Sequence, residues 1–356
     1  MLLAIDLALI IEKFALILVV VLASLGIAMY ATYAERKVAA ILQDRRGPNR
    51  AGPFGILQPV ADGVKLFFKE EIIPNFSNKF LFILGPSLAM LTAIMTSAVI
   101  PWGDKVHFFG RDISLQIADV NVGILYVFAV VSLGVYGIMV GSWASNNKFS
   151  LMGGLRAASQ IISYELAMGL SLIALLMVTG TLSLKEMVLQ QHSEGWHFGW
   201  NIIYQPLGFL IFIICAFAEC NRTPFDLAEA ENELIGGYHT EYSSMKLGFY
   251  LFAEYVNMFV SSVIMATLFF GGYDCPFVNE ANMAPNWAAL LGIGVLMAKV
   301  CFFLFVFMWV RWTIPRFRYD QLMRLGWQVL IPLALVNMLV TGGLVLLKHE
   351  HMLFWK

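Results

Sequence analysis

The chain has 356 residues, of which 59% are hydrophobic and 13% are charged, and its mean hydropathy is +0.74. A soluble domain would carry about 25% charged residues, so this composition excludes the soluble globular class. The net charge of −1 gives no general attraction to nucleic acid, and we expect no nucleic-acid partner.

Continuous apolar runs recur along the whole chain. A helix that crosses the hydrocarbon core of a membrane needs roughly 20 mostly apolar residues. About eight runs meet or approach this length, which predicts an all-α, polytopic membrane protein with a single membrane domain over residues 1–356. The predicted spans are 14–33, 79–100, 120–143, 158–180, 206–220, 248–271, 289–310 and 327–347.

Lysine and arginine are distributed unevenly between the connections. Sixteen of the 23 lie in 34–79, 144–157, 221–247 and 311–326. Because basic loops are retained in the cytoplasm, we predict that these connections are cytoplasmic and that both termini face the other side.

The first of these connections carries a turn-rich segment, 43–55, and then a helical stripe of apolar residues over 56–70. The pattern predicts an amphipathic helix along the membrane surface or under a partner protein. Arg36, Asp62 and Lys65 would then contact a lipid head group or a docked protein. The alternative is that these charges only set the topology.

Two charged residues fall inside predicted spans. Glu165 lies about seven residues, or about 10 Å, into the fourth span, and Lys299 lies near the middle of the seventh. A charge at that depth faces the bundle interior, a water-filled cavity or a partner of opposite charge. For Glu165, a hydrogen bond to neighbouring backbone is the structural alternative.

Acidic residues are most concentrated around the fifth and sixth spans. The stretch 219–254 holds seven of the 24 acids, with Arg222 and Lys246 as its cations. Glu219 closes the fifth span, and Glu254 lies about seven residues into the sixth. Crowded carboxylates in partly apolar surroundings titrate as a coupled group, which suits proton uptake and transfer. A solvated acidic loop is the alternative.

A short helix is predicted within the acidic loop 219–247. Thr223 is a typical N-cap, Pro224 suits the first helical position, and the glycines at 236 and 237 would end the helix. Positions i, i+3 and i+7 share a helix face, and Glu231 points elsewhere. The carboxylates predicted on the shared face are those of Asp226, Glu229 and Glu233.

Several common cofactor sites are missing from the sequence. The histidines all fall outside the predicted spans, so no intramembrane pair can hold a haem. The four cysteines form no CxxC pair, and there is no P-loop and no HExxH motif. We expect no metal, redox centre or nucleotide in this chain.

Four segments, 35–67, 145–165, 218–248 and 310–327, resemble one family. They read ERKVAAILQDRRGPNRAGPFGILQPVADGVKLF, SNNKFSLMGGLRAASQIISYE, AECNRTPFDLAEAENELIGGYHTEYSSMKLG and VRWTIPRFRYDQLMRLGW. Over essentially its whole length, the chain is similar to the quinone-chamber membrane subunits of respiratory complex I, the bacterial proton-pumping NADH:quinone oxidoreductase.

The resemblance implies a component of the bacterial inner membrane that works with other membrane and peripheral subunits of complex I. Quinone would be the substrate, and partner subunits would carry NADH, flavin and iron–sulfur clusters. The expected quinone-chamber residues are Glu35, Arg36, Asp62, Lys65 and Phe225. With Lys299 added for its place inside a span, the expected proton route comprises Glu165, Glu219, Asp226, Glu229, Glu231, Glu233, Glu254 and Lys299.

Two other functions remain open at this point. A related membrane component of a membrane-bound hydrogenase or formate hydrogenlyase would use no quinone. A stand-alone proton-coupled transporter would be expected to show internal repeats, and the sequence shows no convincing repeat. A purely structural anchor leaves Glu165, Glu254 and Lys299 unexplained.

Overall fold

The computed structural model describes residues 7–108, 111–192, 199–275 and 284–349. Helices dominate this part of the chain, which confirms the predicted all-α class. A two-stranded antiparallel hairpin, β1 (Lys105–Phe108) and β2 (Arg111–Ser114), is the exception. The helices are α1 (Leu7–Leu42), α2 (Gln58–Phe68), α3 (Lys79–Thr96), α4 (Gly123–Ala144), α5 (Lys148–Thr179), α6 (Leu184–Gln191), α7 (Asn201–Tyr204), α8 (Pro206–Glu219), α9 (Glu231–Leu234), α10 (Ser244–Phe269), α11 (Pro285–Thr313), α12 (Tyr319–Arg324) and α13 (Ile331–His349).

Seven helical segments within the described ranges are long and apolar enough to cross a membrane. The predicted span 206–220 corresponds to α8, which has 14 residues and a length of about 21 Å. This helix is shorter than a hydrocarbon core of about 30 Å. Other helices extend past the predicted spans: α5 begins ten residues before the predicted span 158–180, at Lys148, where the side chain of Asn147 caps the helix.

The predicted amphipathic helix forms as α2 and lies against α1 and α10. The hydroxyl of Ser244 donates to the carbonyl of Leu66 at 3.0 Å and fixes the end of α2 to the start of α10. Phe67 and Phe68 point away from the bundle and are largely exposed. They leave an apolar surface of the kind that a membrane or a partner protein covers.

The most buried transmembrane helix is α10, which packs against α1, α3 and α11. The side chain of Tyr250 on α10 fits against α4 because α4 has glycines at the contact. A Cβ atom at Gly141 would lie only 1.9 Å from the hydroxyl of Tyr250, so this contact requires glycine. The hydroxyl of Tyr250 instead donates to the carbonyl of Gly137 at 3.1 Å.

The C-terminal end of α10 is buried beneath α6 and α7, where its last carbonyls need donors from the protein. The side-chain amide of Gln191 donates to the carbonyl of Thr267 at 3.0 Å and accepts from the amide of Gly271 at 3.0 Å. Asn201 donates to the carbonyl of Leu268 at 2.8 Å. The irregular backbone after α10 is therefore held by side chains.

Candidate functional site

Most of the predicted site residues gather at one end of the bundle, where α8 ends and α10 begins. The connection between these helices folds back into the protein, and its residues Phe225, Leu227 and Tyr238 are buried. Gly237 lies so close to the carbonyl of Ala228 that a Cβ atom would come within 1.8 Å of the oxygen. The acidic segment is therefore a packed part of the structure, and the solvated-loop alternative does not hold.

Arg222 is the central cation of this region, and its side chain is only 4% exposed. It donates to Glu35 at 3.2 Å, and its second terminal nitrogen lies 4.0 Å from Glu254. The guanidinium also lies 4.1 Å from the centre of the Tyr255 ring. A buried arginine needs such partners because an unpaired charge in a low-dielectric interior is costly.

Glu35 is buried and interacts with three groups from distant parts of the chain. Besides Arg222, Arg311 from the end of α11 lies 2.6 Å from its carboxylate. The hydroxyl of Tyr255 donates to the same carboxylate at 2.9 Å. Two cations and a hydroxyl around one carboxylate compensate for the water that the carboxylate loses on burial.

A cavity of about 380 Å³ opens beside this cluster between α1, α2 and α10. Arg36, Asp62 and Lys65 line it, and Arg36 pairs with Asp62 at 2.7 Å. Phe252 and Tyr255 belong to its other wall. The structure thus places three of the predicted quinone-chamber residues at this cavity, which we call the entrance cavity, and places Glu35 in the buried cluster.

The predicted helix starting at Thr223 is wrong. Residues 223–230 form turns, the Thr223–Pro224 peptide bond is cis, and α9 covers only Glu231–Leu234. Tertiary contacts use the carbonyls that a helix would need. The side chain of Gln160 donates to the carbonyl of Phe225 at 2.7 Å, and the amide of Tyr238 donates to that of Ala228 at 3.3 Å.

The acids of this segment consequently do not share a helix face, and three of them have separate cationic or imidazole partners. Asp226 pairs with Arg316. Glu229 lies 3.4 Å from the ring of His239. Glu233 pairs with Arg156 of α5 at 2.6 Å, in a more exposed position. The side chain of Glu231 lies outside the described residues.

Two neighbouring carboxylates of this segment differ in acidity. Burial raises the pKa of Asp226 to about 6, Glu229 adds to the rise, and Arg316 opposes it. Burial also acts to raise the pKa of Glu229, but the hydrogen bond and charge of His239, together with the charges of Arg222 and Arg316, leave the pKa below its ordinary value. At neutral pH, Glu229 therefore holds its charge more firmly than Asp226 does.

Phe225 lies away from the entrance cavity. Its ring packs edge-on against Tyr164, with 5.3 Å between centroids, and lies 5.6 Å from the ring of Phe317. Both neighbours come from outside the acidic segment, from α5 and from the connection after α11. Phe225 therefore anchors this segment to the bundle.

The remaining predicted acids follow the helices into the bundle. Glu254 accepts a hydrogen bond from the hydroxyl of Tyr238 at 3.0 Å, and it borders the same small cavity as Glu219. Glu165 accepts a hydrogen bond from Ser132 of α4. The three carboxylates thus run from the buried cluster towards the α4–α5 interface.

Lys299 lies away from these three carboxylates. Its ammonium donates to the carbonyls of Phe270, Gly272 and Asp274 at 2.7, 2.8 and 2.8 Å. These carbonyls follow the end of α10, about 24 Å along the helix axis from Glu254. Lys299 thus caps the opposite end of the helix that carries Glu254.

Sequence reasoning missed the partners of the acids more than the acids themselves. Arg311 and Arg316 have the pattern of topology-setting charge, and Tyr255 lies outside the quoted segments. His239 lies within the segment 218–248, but no spacing marks it as a partner of Glu229. The one available signal is that Arg222 is one of only two cations among seven acids. The other pairings join residues up to 276 positions apart, as Glu35 and Arg311 are, and local spacing does not reveal such contacts.

The fold and this site define a polytopic membrane protein that holds a buried cluster of paired charges beside a partly apolar cavity. Comparison of the sequence shows its family: residues 14–342 match the NADH dehydrogenase family, and the chain belongs to it. This match confirms the resemblance seen in the sequence motifs.

Three similar proteins are named as H subunits of NADH-quinone oxidoreductase. The H subunit from Flavobacterium johnsoniae is 66% identical over 345 residues, which cover 96% of this chain and 97% of the relative. The H 1 subunit from Cytophaga hutchinsonii is 64% identical over 336 residues, covering 94% and 97%. The H 1 subunit from Geobacter metallireducens is 48% identical over 345 residues, covering 97% and 99%.

Proposed function

We propose that this chain is a membrane subunit of a proton-translocating NADH:quinone oxidoreductase, where it forms part of the quinone chamber and couples quinone reduction to proton movement. One observation carries the proposal. Tyr255 lines the entrance cavity, donates to Glu35 and stacks on Arg222, and Arg222 reaches Glu254. A continuous set of contacts therefore joins the cavity to the acidic route.

The entrance cavity suits a quinone. Apolar side chains such as Leu247 and Phe252 can contact an isoprenoid tail, whereas Arg36 and Lys65 offer hydrogen-bond donors. Reduction of a quinone to a quinol consumes two electrons and two protons. In this proposal, peripheral subunits with flavin and iron–sulfur clusters deliver the electrons from NADH, and the present chain supplies charge and shape.

Coupling would proceed through the paired charges. A change in the charge of the quinone would change the electrostatic potential at Glu35. Arg222 contacts both Glu35 and Glu254, so it would pass this change on to Glu254. The protonation equilibria of Glu254 and Glu219 would respond in turn. Protons would then leave the cluster along the acids that end at Glu165.

Neutralising the acids one at a time tests the proposal. Glu219→Gln and Glu165→Gln should lower NADH:quinone turnover and proton translocation at least fivefold in the assembled enzyme. NADH oxidation by a water-soluble electron acceptor, which needs no quinone, should be unchanged. Normal assembly with full turnover and pumping in both variants would contradict the proposal.

The partners can be identified directly. Mass spectrometry of the intact complex, purified through this chain, should find an NADH-oxidising module, and a retained quinone would add support. A nickel–iron hydrogenase protein in its place would favour the hydrogenase alternative. Proton-coupled uptake by this chain alone in liposomes would favour the transporter alternative.

We also propose that the chain lies in the cytoplasmic membrane of a bacterium, with the end that holds Arg222 and Arg311 on the cytoplasmic side. The support is the bias of lysine and arginine towards the connections at that end. Reporter fusions at both termini should be active only on the non-cytoplasmic side, and cytoplasmic activity of either would reject this orientation.

A further inference from the structure

Asn257 borders two small cavities inside the bundle and was not among the predicted site residues. The first cavity has a volume of about 40 Å³, and Glu254, Glu219 and Tyr238 also border it. The second has a volume of about 20 Å³, and Glu219 and Ser261 are its other polar borders. Glu219 and Asn257 are thus the polar side chains that the two cavities share.

Each cavity can hold water. A site for one molecule needs about 10–15 Å³ and two to four polar partners. The first cavity meets both conditions with four polar residues besides the shared pair: Asn221, Tyr238, Tyr250 and Glu254. The second meets them with Glu219, Asn257 and Ser261 amid apolar walls.

The position of Asn257 on α10 explains why it reaches both spaces. Residues 254, 257 and 261 are at i, i+3 and i+7 and therefore share one helix face. The second cavity is also bordered by Phe128 of α4 and Met168 of α5. These two helices carry the hydrogen-bonded pair of Ser132 and Glu165, so the cavities follow the direction of the acidic residues.

We propose that Asn257 is a positioning residue that holds water between Glu254 and Glu219 in the first cavity and beside Glu219 in the second, where α4 and α5 form part of the wall. Its amide can donate and accept hydrogen bonds but does not ionise. It can therefore orient water for proton transfer between carboxylates without adding a charge. This inference rests on the proposed function, because it gives Asn257 a role in that same proton route.

A pair of substitutions with the same shape separates hydrogen bonding from volume. Asn257→Val removes the polar group, and Asn257→Thr has the shape of valine but keeps a hydroxyl. In the assembled enzyme, Asn257→Val should lower NADH:quinone turnover at least fivefold and increase its solvent deuterium isotope effect. Asn257→Thr should keep at least half of the turnover and an unchanged isotope effect.

Asn337→Val is the matched control, since Asn337 is also a half-buried helical asparagine but bonds Gln205 at 3.0 Å and borders neither cavity. It should leave turnover and the isotope effect unchanged. Equal behaviour of Asn257→Val and Asn257→Thr, or loss of assembly in both, would overturn the role of Asn257. Full turnover and pumping in both Glu219→Gln and Glu165→Gln would instead overturn the proposed function itself.

Discussion

At the scale of single residues, the buried guanidinium of Arg222 is the contact on which the site depends. Glu35 has a second cation in Arg311, whereas among the ion pairs of the described residues Arg222 is the cation that reaches Glu254. Removing one member of a buried ion pair leaves its partner charged and poorly solvated, which costs about 3–5 kcal/mol. Arg222 should therefore matter for both stability and coupling.

We expect Arg222→Met to lower the thermal stability of the purified complex and to reduce NADH:quinone turnover at least tenfold. Arg156→Met is the matched control, because Arg156 pairs with Glu233 at a position where the glutamate is half exposed. Such a pair contributes less than about 1 kcal/mol. Thermal inactivation and turnover measured on both variants check the prediction, and equal losses would contradict it.

Asp226 predicts a defined dependence of stability on pH. Its pKa is raised from 3.8 to about 6 in the folded chain, so the folded state binds this proton more tightly than the unfolded state. The contribution of this proton to the free energy of unfolding is complete below about pH 4 and is lost as pH rises through 6. The effect is on the order of 3 kcal/mol.

The change that tests this is Asp226→Asn, which cannot ionise. Thermal inactivation at pH 7.5 and pH 5 should show wild type gaining stability relative to the variant at the lower pH. A stability difference that does not change with pH, or that changes in the opposite direction, would show that Asp226 does not titrate in this range.

At the scale of elements, the sequence predicts the long helices but not the conformation of the acidic segment. Apolar runs form helices because backbone groups in a bilayer must be satisfied within the segment. In residues 223–230, side chains and amides from elsewhere bind the carbonyls instead, as Gln160 does at Phe225. The N-cap and proline signals at Thr223 and Pro224 were present, but tertiary contacts outweighed them.

The prediction that Lys299 belongs to the proton route rests on its depth in α11. Its depth is as expected, but its ammonium caps the end of α10. The two roles make different predictions for Lys299→Met. A cap should lower thermal stability, because each carbonyl left without a donor costs about 1–3 kcal/mol, while turnover per assembled complex stays within twofold.

A proton carrier should instead lose most of its turnover with little change in stability. Lys185→Met is the control, since Lys185 makes only a loose pair with Asp119 at 3.9 Å. Thermal inactivation and turnover, both normalised to assembled complex, distinguish the two roles. Retained stability together with lost turnover in Lys299→Met would reject the capping role.

At the scale of the whole molecule, the bundle separates two tasks between the ends of α10. The end near Glu254 carries the paired charges and the cavity, whereas the other end is closed by side-chain caps from Gln191, Asn201 and Lys299. Because α10 is held at its C-terminal end, the charged side chains at its other end keep their positions relative to one another. Substitutions at the cap should therefore affect stability before they affect chemistry.

In the proposed function, quinone reduction and proton translocation are coupled at Glu254. The most direct test is Glu254→Gln in the purified complex reconstituted in liposomes. Glu241→Gln is the control, because Glu241 accepts a hydrogen bond from Asn147 at 2.6 Å and borders neither small cavity. We expect at least a tenfold loss of both turnover and proton translocation in Glu254→Gln and near wild-type values in Glu241→Gln. Full coupled activity of an assembled Glu254→Gln enzyme would contradict this coupling.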